Sequence, residues 1–208
     1  PDISCFFTRI ALRYARHQSV STAQLLESIP LPYNYLENHY NWVSLSIWKQ
    51  LLKNIQAALG TGNVLNEMFD ALRPKQEGQL LQFIIDELHE HENIFWLLPQ
   101  FYNILFGLGK INLIGKNDNG IIFHHHLSPA EIDMNIELND RHLLCLTLHA
   151  FLERVPAFWQ ERPVKVERIR CRLKQEQEGV ILGMGCVFQV RFPHKLTGGR
   201  FSRIRLIK

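Results

Sequence analysis

The sequence contains no uninterrupted run of apolar residues long enough to cross a membrane. It also lacks the pattern of a signal peptide, because Arg9, Arg13 and Arg16 fall within the first apolar segment instead of preceding it. These two absences argue against a membrane-spanning protein and against a secreted precursor. We therefore expect a cytoplasmic protein that makes no contact with a membrane.

Closely spaced cysteine pairs are absent as well. The four cysteines, Cys5, Cys145, Cys171 and Cys186, form no C-x-x-C motif, so the spacing predicts neither a zinc knuckle nor a redox motif. Thiols spread in this way are typical of buried, reduced cysteines. Cys171 and Cys186 could face each other across a hairpin, which allows a disulfide between them without requiring one.

Motifs of catalysis are also missing. The sequence has no G-x-S-x-G elbow, no phosphate-binding glycine loop, no H-E-x-x-H and no dinucleotide fingerprint. Cys145 lies in the apolar run Leu-Leu-Cys-Leu, a setting that disfavours a reactive thiolate. We therefore predict no enzymatic activity, no catalytic residues and no cofactor.

What the sequence does contain is the composition of a globular domain, with 46% hydrophobic and 21% charged residues. Its charge is divided unevenly: residues 1–159 carry 11 basic and 16 acidic side chains (−5), whereas residues 160–208 carry 12 basic and 4 acidic ones (+8). We interpret residues 1–192 as one sensory or regulatory domain, with 1–23 as a candidate helical amino-terminal arm. Residues 193–208 are then a basic linker towards an output domain, an interpretation that we favour over nucleic-acid binding.

Apolar residues at helical spacing dominate the first half of the chain. A short helix follows Ser21, and Pro30 and Pro32 are expected to begin an extended passage. The other predicted helices are Ile3–Ala15, Ile47–Leu59, Asn63–Leu72, Lys75–His91, Ile94–Leu108 and Arg141–Val155.

Strand patterns appear in the second half. The turn signal of residues 115–120 separates two strands, and a second hairpin closes over residues 175–179. In the last strand the even positions share one face, and Gly183 and Gly185 lie on the other, where the backbone can approach a neighbour closely. The fold class is α+β: amino-terminal helices packed on an antiparallel sheet made of two hairpins with an intervening helix. The predicted strands are Lys110–Ile114, Ile121–Leu127, Met134–Leu138, Val164–Lys174 and Val180–Phe192.

Two groups of histidines resemble metal sites. Within His124-His125-His126 only the first and third residues can share a face of a strand, so a polar strand end explains the motif better than a metal site. His142, His149 and Glu153 lie on one stripe of one predicted helix, which fits either solvent exposure or a shared proton or metal. We predict no metal site.

The predicted helix Ile94–Leu108 is apolar on nearly every side, so it must be buried or must line a cavity or a partner surface. Rigid rings with a few polar points are typical of a pocket for a small, largely apolar molecule. Core packing without a cavity is the alternative. The candidate ligand-binding residues are Trp96, Tyr102, Phe106, Cys145 and His149.

Four segments, in order, match motifs of a known family: Asn41–Ser44, Leu148–Trp159, Val166–Cys171 and Gly185–Val190. They resemble the Trp-Ile/Val-Ser entry, the Leu-x-x-Ile-Pro-x-x-Trp segment and the closing cysteine hairpin of bacterial amino-terminal sensor domains. These domains are similar to the 4-vinyl-reductase-like and haem–nitric-oxide-binding superfamily. The chain departs from them at His149 or a neighbouring position, where a glycine is usual, and in a longer loop, Arg172 to Gly185, between the paired cysteines. It also lacks the Tyr-x-Ser-x-Arg motif that holds haem propionates.

The resemblance implies a ligand-sensing regulatory domain of a bacterial signal-transduction protein with a histidine kinase or nucleotide or diguanylate cyclase output. Such a domain binds a small apolar molecule and shifts its conformation. We also expect a homodimer, a covalently linked output domain and no haem. The main alternative is an interaction or dimerisation module without a small ligand, and another is an enzyme or metal protein of the 4-vinyl-reductase type.

Overall fold

A computed structural model describes residues 2–71, 94–117, 120–126, 138–154, 164–170 and 185–191. Helices and antiparallel strands follow one another there, which confirms the predicted α+β class. The helices are α1 (Cys5–His17), α2 (Thr22–Leu25), α3 (Tyr33–Glu37), α4 (Leu45–Leu59), α5 (Val64–Asp70), α6 (Ile94–Leu105) and α7 (Leu138–Arg154). The strands are β1 (Ile3–Ser4), β2 (Trp42–Val43), β3 (Lys110–Asn117), β4 (Gly120–His126), β5 (Lys165–Arg170) and β6 (Cys186–Arg191).

Helix α1 is a central element of the core. The Ser4 hydroxyl accepts a hydrogen bond from the backbone N–H of Phe6, which satisfies one of the free donors at the start of the helix. The apolar stripe predicted from the sequence is buried: Leu12 is fully removed from solvent, and Phe6 and Ile10 are only 6% and 2% exposed. The segment considered as a candidate arm therefore packs its apolar face within the chain.

Helix α3 corrects the expectation of an extended passage after Pro32. Pro32 itself has extended backbone angles and lies at the N-cap, but residues Tyr33–Glu37 after it are helical. A contact distant in sequence holds this short helix, because the buried Thr8 hydroxyl donates to the Leu36 carbonyl oxygen at 2.5 Å. A five-residue helix is too short to be stable alone, so its sequence carries little sign of it.

The two predicted hairpins join into one antiparallel sheet with the strand order β3-β4-β6-β5. The joining pair is β4 with β6, in which Phe123 lies opposite Phe188. The even positions Cys186, Phe188 and Val190 are all buried on the inner face, as the alternation in the sequence predicts.

Helix α6 is attached to the edge strand β3 by the Asn103 amide. Its nitrogen donates to the Ile111 carbonyl (3.2 Å) and its oxygen accepts from the Ile111 N–H (2.9 Å).

Asp2 joins the amino terminus to two distant helices. Its carboxylate accepts from the backbone N–H of Leu45 (2.9 Å) at the start of α4, and its carbonyl accepts from Gly107 (2.8 Å) just after α6. Next to it, β1 and β2 form a two-stranded antiparallel sheet through Ile3 opposite Val43. The sequence analysis did not predict this small sheet.

Several predicted segments lie outside the described residues. They include the helix Lys75–His91, most of the strand Met134–Leu138, Cys171, Gly183 and the basic linker 193–208. Leu138 itself begins α7, three residues before the predicted start at Arg141. Within the described part of the chain, no helix combines the length and the apolar character that a membrane span requires.

A substitution at Gly185 tests how closely β6 packs against β4. Its φ is +154°, and a Cβ atom there would lie 2.2 Å from the carbonyl oxygen of His125. We expect Gly185→Ala to lower the free energy of unfolding by about 2 kcal/mol or more, because neither backbone can move without breaking the pairing. The measurement is urea-induced unfolding followed by circular dichroism.

Gly115→Ala is the matched control within the same sheet. A Cβ at Gly115 would meet only Ile122 side-chain atoms at 3.8 and 3.9 Å, which is ordinary van der Waals contact. We expect this substitution to change the free energy of unfolding by less than about 1 kcal/mol. Equal losses in the two variants would contradict the close approach at Gly185.

Candidate functional site

Among the described residues, aromatic rings pack together between the helices and the sheet. Phe7 of α1 is at their centre: its ring centroid lies 4.5 Å from that of Phe106, 6.2 Å from Phe69, and 6.3 Å from both Trp48 and Phe151. We call this set, together with Tyr102, the ring cluster; Tyr102 stacks on Phe106 at 4.2 Å. All six side chains are buried. Tyr102 and Phe106, predicted as lining residues, are thus members of the packed core.

Tyr102 connects the ring cluster to the triple-histidine strand. Its hydroxyl lies 3.2 Å from Nε2 of His125, and both side chains are buried. His124 and His126 project from the other face, where their rings stack 5.3 Å apart. The alternation predicted for this strand is confirmed, but the buried His125–Tyr102 pair was not foreseen. Among the described residues, no group of three or more histidine, cysteine or acidic side chains has the geometry to hold a metal ion.

The remaining predicted site residues fall in different places. Cys145 is buried on α7 and faces Cys186 of β6, with 3.7 Å between the two sulfur atoms. Trp96 lies within α6, and its side chain is outside the described part of the structure. His149, one turn after Cys145, is half-buried and reaches a separate cavity.

This cavity has a volume of about 240 Å³, lies between α4, α5 and α7, and is open to solvent on one side, where Leu146 in its wall is 38% exposed. We call it the α4–α5–α7 cavity. Its walls are mainly apolar, and amide and imidazole groups supply a few polar points, a combination typical of sites for small molecules. Of the five residues predicted to contact a ligand, His149 is the one found in this wall. The lining residues are Leu52, Gln56, Gly62, Asn63, Val64, Leu65, Asn66, Leu143, Leu146 and His149.

His149 contacts both the cavity and the sheet. Its ring centroid lies 6.3 Å from that of Phe188 on β6, and its imidazole is hydrogen-bonded to the backbone of Val166 on β5. Burial, which disfavours the charged form, lowers the pKa of His149. Glu153 and the Val166 bond act in the opposite direction, and Arg168 adds to the lowering. The net lowering of the pKa favours the neutral form of this imidazole.

Helix α5, which forms one wall of the cavity, is held from both sides. Glu67 accepts hydrogen bonds from the Tyr14 hydroxyl (2.5 Å) and the Thr61 hydroxyl (2.6 Å). At the other end, the Asp70 carboxylate pairs with Arg154 of α7 at 2.6 Å. These contacts tie the cavity wall to α1 and to α7. Sequence reasoning missed them because the partners are far apart in the chain.

The Tyr14–Glu67 contact should make the free energy of unfolding depend on pH in the alkaline range. Burial, and then the Glu67 carboxylate, raise the pKa of Tyr14 from 10.0 to about 12. The stabilisation is therefore complete below pH 10.0 and is lost as the pH rises towards 12. We expect Tyr14→Phe to cost about 1 kcal/mol of unfolding free energy at neutral pH, and that difference to shrink over this interval.

Urea unfolding of the wild type and Tyr14→Phe at a series of pH values measures this difference. Tyr40→Phe, at an exposed tyrosine, is the control and should leave the pH profile unchanged. If the difference in unfolding free energy between wild type and Tyr14→Phe stayed constant up to pH 12, folding would not raise the pKa of Tyr14.

Comparison with known proteins finds similarity at the level of structure. No family model and no curated protein sequence matches the chain. An H-NOX domain from Shewanella oneidensis, a single-site mutant studied by NMR in the Fe(II)CO ligation state, has a TM-score of 0.56 and 14% sequence identity. The match covers 92% of this chain and 98% of that domain. A double mutant of the H-NOX domain designated Tt has a TM-score of 0.51 and 9% identity, covering 95% of this chain and 99% of that one. This chain therefore has a fold similar to that of H-NOX domains, the haem–nitric oxide/oxygen-binding domains.

Proposed function

We propose that this chain is a ligand-sensing regulatory domain of a bacterial signal-transduction protein. The similarity in fold to domains that bind small ligands supports this function, and the α4–α5–α7 cavity provides a place for a ligand. The proposal includes a cytoplasmic location, a homodimer, and an output domain of the histidine kinase or cyclase type reached through residues 193–208. It includes no catalytic activity of the domain itself.

The observation that carries the proposal is the double contact of His149. The residue lies in the cavity wall and also touches β5 and β6, so a molecule in the cavity meets a side chain that is connected to the sheet. A ligand that binds one arrangement of α7 more tightly than another shifts the population towards that arrangement. The sheet then carries the change towards the carboxyl-terminal part of the chain.

The chemistry of the wall defines the class of ligand. A cavity of about 150 Å³ can hold benzene, so a volume of about 240 Å³ is large enough for a single aromatic ring. The neutral His149 gives its N–H to the Val166 carbonyl, which leaves its other ring nitrogen as a hydrogen-bond acceptor. The preferred ligand is therefore a small, uncharged, mostly apolar molecule that can donate one hydrogen bond, such as a phenol.

Haem, the group implied by the fold, does not fit the residues described here. The ring cluster occupies the space between α1, α6 and α7, with ring centroids as close as 4.2 Å. The buried imidazole beside it, that of His125, has its Nε2 atom 3.2 Å from the Tyr102 hydroxyl. No Tyr-x-Ser-x-Arg segment occurs anywhere in the sequence. We therefore assign no step of the mechanism to haem.

Phenol and toluene, which differ in the ability to donate a hydrogen bond, test the proposed site. We expect saturable phenol binding in NMR titrations of the wild type. Leu146→Trp should weaken binding by about tenfold or more, because the larger ring enters the cavity. The control is Ile104→Trp, at a site on α6 that is 66% exposed and outside the cavity wall, and it should bind as the wild type does.

The substitution His149→Phe tests the hydrogen-bond acceptor of the imidazole separately from the apolar wall of the cavity. Removing the ring nitrogens should weaken phenol binding by about tenfold and leave toluene binding nearly unchanged. If phenol bound equally well to the wild type and Leu146→Trp, the cavity would not be the site. If neither compound bound, the alternative of an interaction module without a small ligand would be favoured.

A further inference from the structure

The thiols of Cys145 and Cys186 form a close pair that the proposed function does not use. They belong to different layers, α7 and β6, and are 41 residues apart in sequence, yet their sulfur atoms lie 3.7 Å apart. A disulfide bond has a length of about 2.05 Å, so the two atoms need to approach by only about 1.7 Å. The two sulfur atoms are therefore within a short movement of bonding distance.

Both side chains are shielded from solvent, with 2% of Cys145 and 6% of Cys186 exposed. Shielding slows thiol oxidation, because the thiolate is the reactive form and water stabilises it. It also selects among oxidants by size and charge. A small uncharged peroxide can penetrate to the pair during local opening, whereas glutathione disulfide, which is large and charged, cannot reach it in the folded protein.

We propose that Cys145 and Cys186 are a redox-responsive dithiol that hydrogen peroxide converts into a disulfide. In the first step one thiol loses its proton and attacks a peroxide oxygen. The O–O bond breaks, a sulfenic acid forms, and the released hydroxide takes the proton to give water. In the second step the other thiol attacks the sulfenic sulfur, the S–S bond forms and a second water leaves. Two thiols and one peroxide thus give one disulfide and two waters.

The position of the pair gives the bond a structural effect. Cys145 lies one helical turn before His149 on α7, and Cys186 lies opposite His125 on the neighbouring strand β4. A disulfide here ties α7 covalently to the middle of the sheet. It also closes a long loop, which restricts the unfolded chain and stabilises the folded one.

The experiment exposes the reduced, folded protein to hydrogen peroxide in one arm and to glutathione disulfide in the other, followed by mass spectrometry. We expect the peroxide arm to lose the mass of two hydrogen atoms and to yield a peptide pair joined through Cys145 and Cys186. A reductant should restore the original mass. The glutathione disulfide arm should remain reduced, and the oxidised protein should unfold at a higher temperature than the reduced one.

Substitutions of each cysteine identify the partners. Cys145→Ala and Cys186→Ala should each abolish the mass loss. If one variant fails to fold, the other still gives the answer. Cys171→Ala and Cys5→Ala are the controls and should retain it. Three results would overturn the proposal. They are a disulfide that includes Cys171, oxidation to sulfinic acid at either residue, and thiols that stay unchanged under a peroxide treatment that oxidises the unfolded protein. None of these outcomes depends on a ligand in the α4–α5–α7 cavity.

Discussion

The packing of aromatic rings around Phe7 is the interaction on which the rest of the structure depends. Through this one side chain α1 contacts rings from α4, α5 and α7 and the ring of Phe106, the residue that follows α6, so four helices share a single apolar centre. Removing a buried phenylalanine from such a centre costs about 3–5 kcal/mol, a large part of the stability of a typical domain. Because these rings fill the interior on one side of α7, the cavity lies on the other side of that helix.

Helix α7 contributes residues to the ring cluster, to the Cys145–Cys186 pair and to the α4–α5–α7 cavity. One face contributes Phe151 to the ring cluster, Cys145 meets β6, and Leu143, Leu146 and His149 form the cavity wall. A small movement of this helix would change all three environments together, since packed interiors repack between discrete arrangements instead of deforming smoothly. Its ion pair with Asp70 and the hydrogen bonds of Glu67 hold the opposite wall in place. The cavity is therefore bounded by elements that are fixed to the same core.

Similarity in fold to H-NOX domains does not by itself specify the chemistry of the interior. In the described part of this chain, the helical and sheet layers enclose the ring cluster and a Tyr102–His125 hydrogen bond. A fold specifies backbone paths, and the side chains that fill it decide which molecule it can hold. At 14% identity most of those side chains differ.

The sequence by itself determined the elements whose signals are local. Helical spacing identified α1 and α4, the turn at 115–120 identified the β3–β4 hairpin, and alternation identified the buried face of β6. Only the tertiary structure decided that β4 pairs with β6, that Thr8 holds α3, that His149 reaches a cavity apart from Tyr102, and that Cys145 is the described thiol facing Cys186. The physical reason is that periodicity and capping depend on residues a few positions apart. Strand order, cavities and thiol pairs depend instead on packing between segments separated by tens of residues, and local pattern carries no record of that packing.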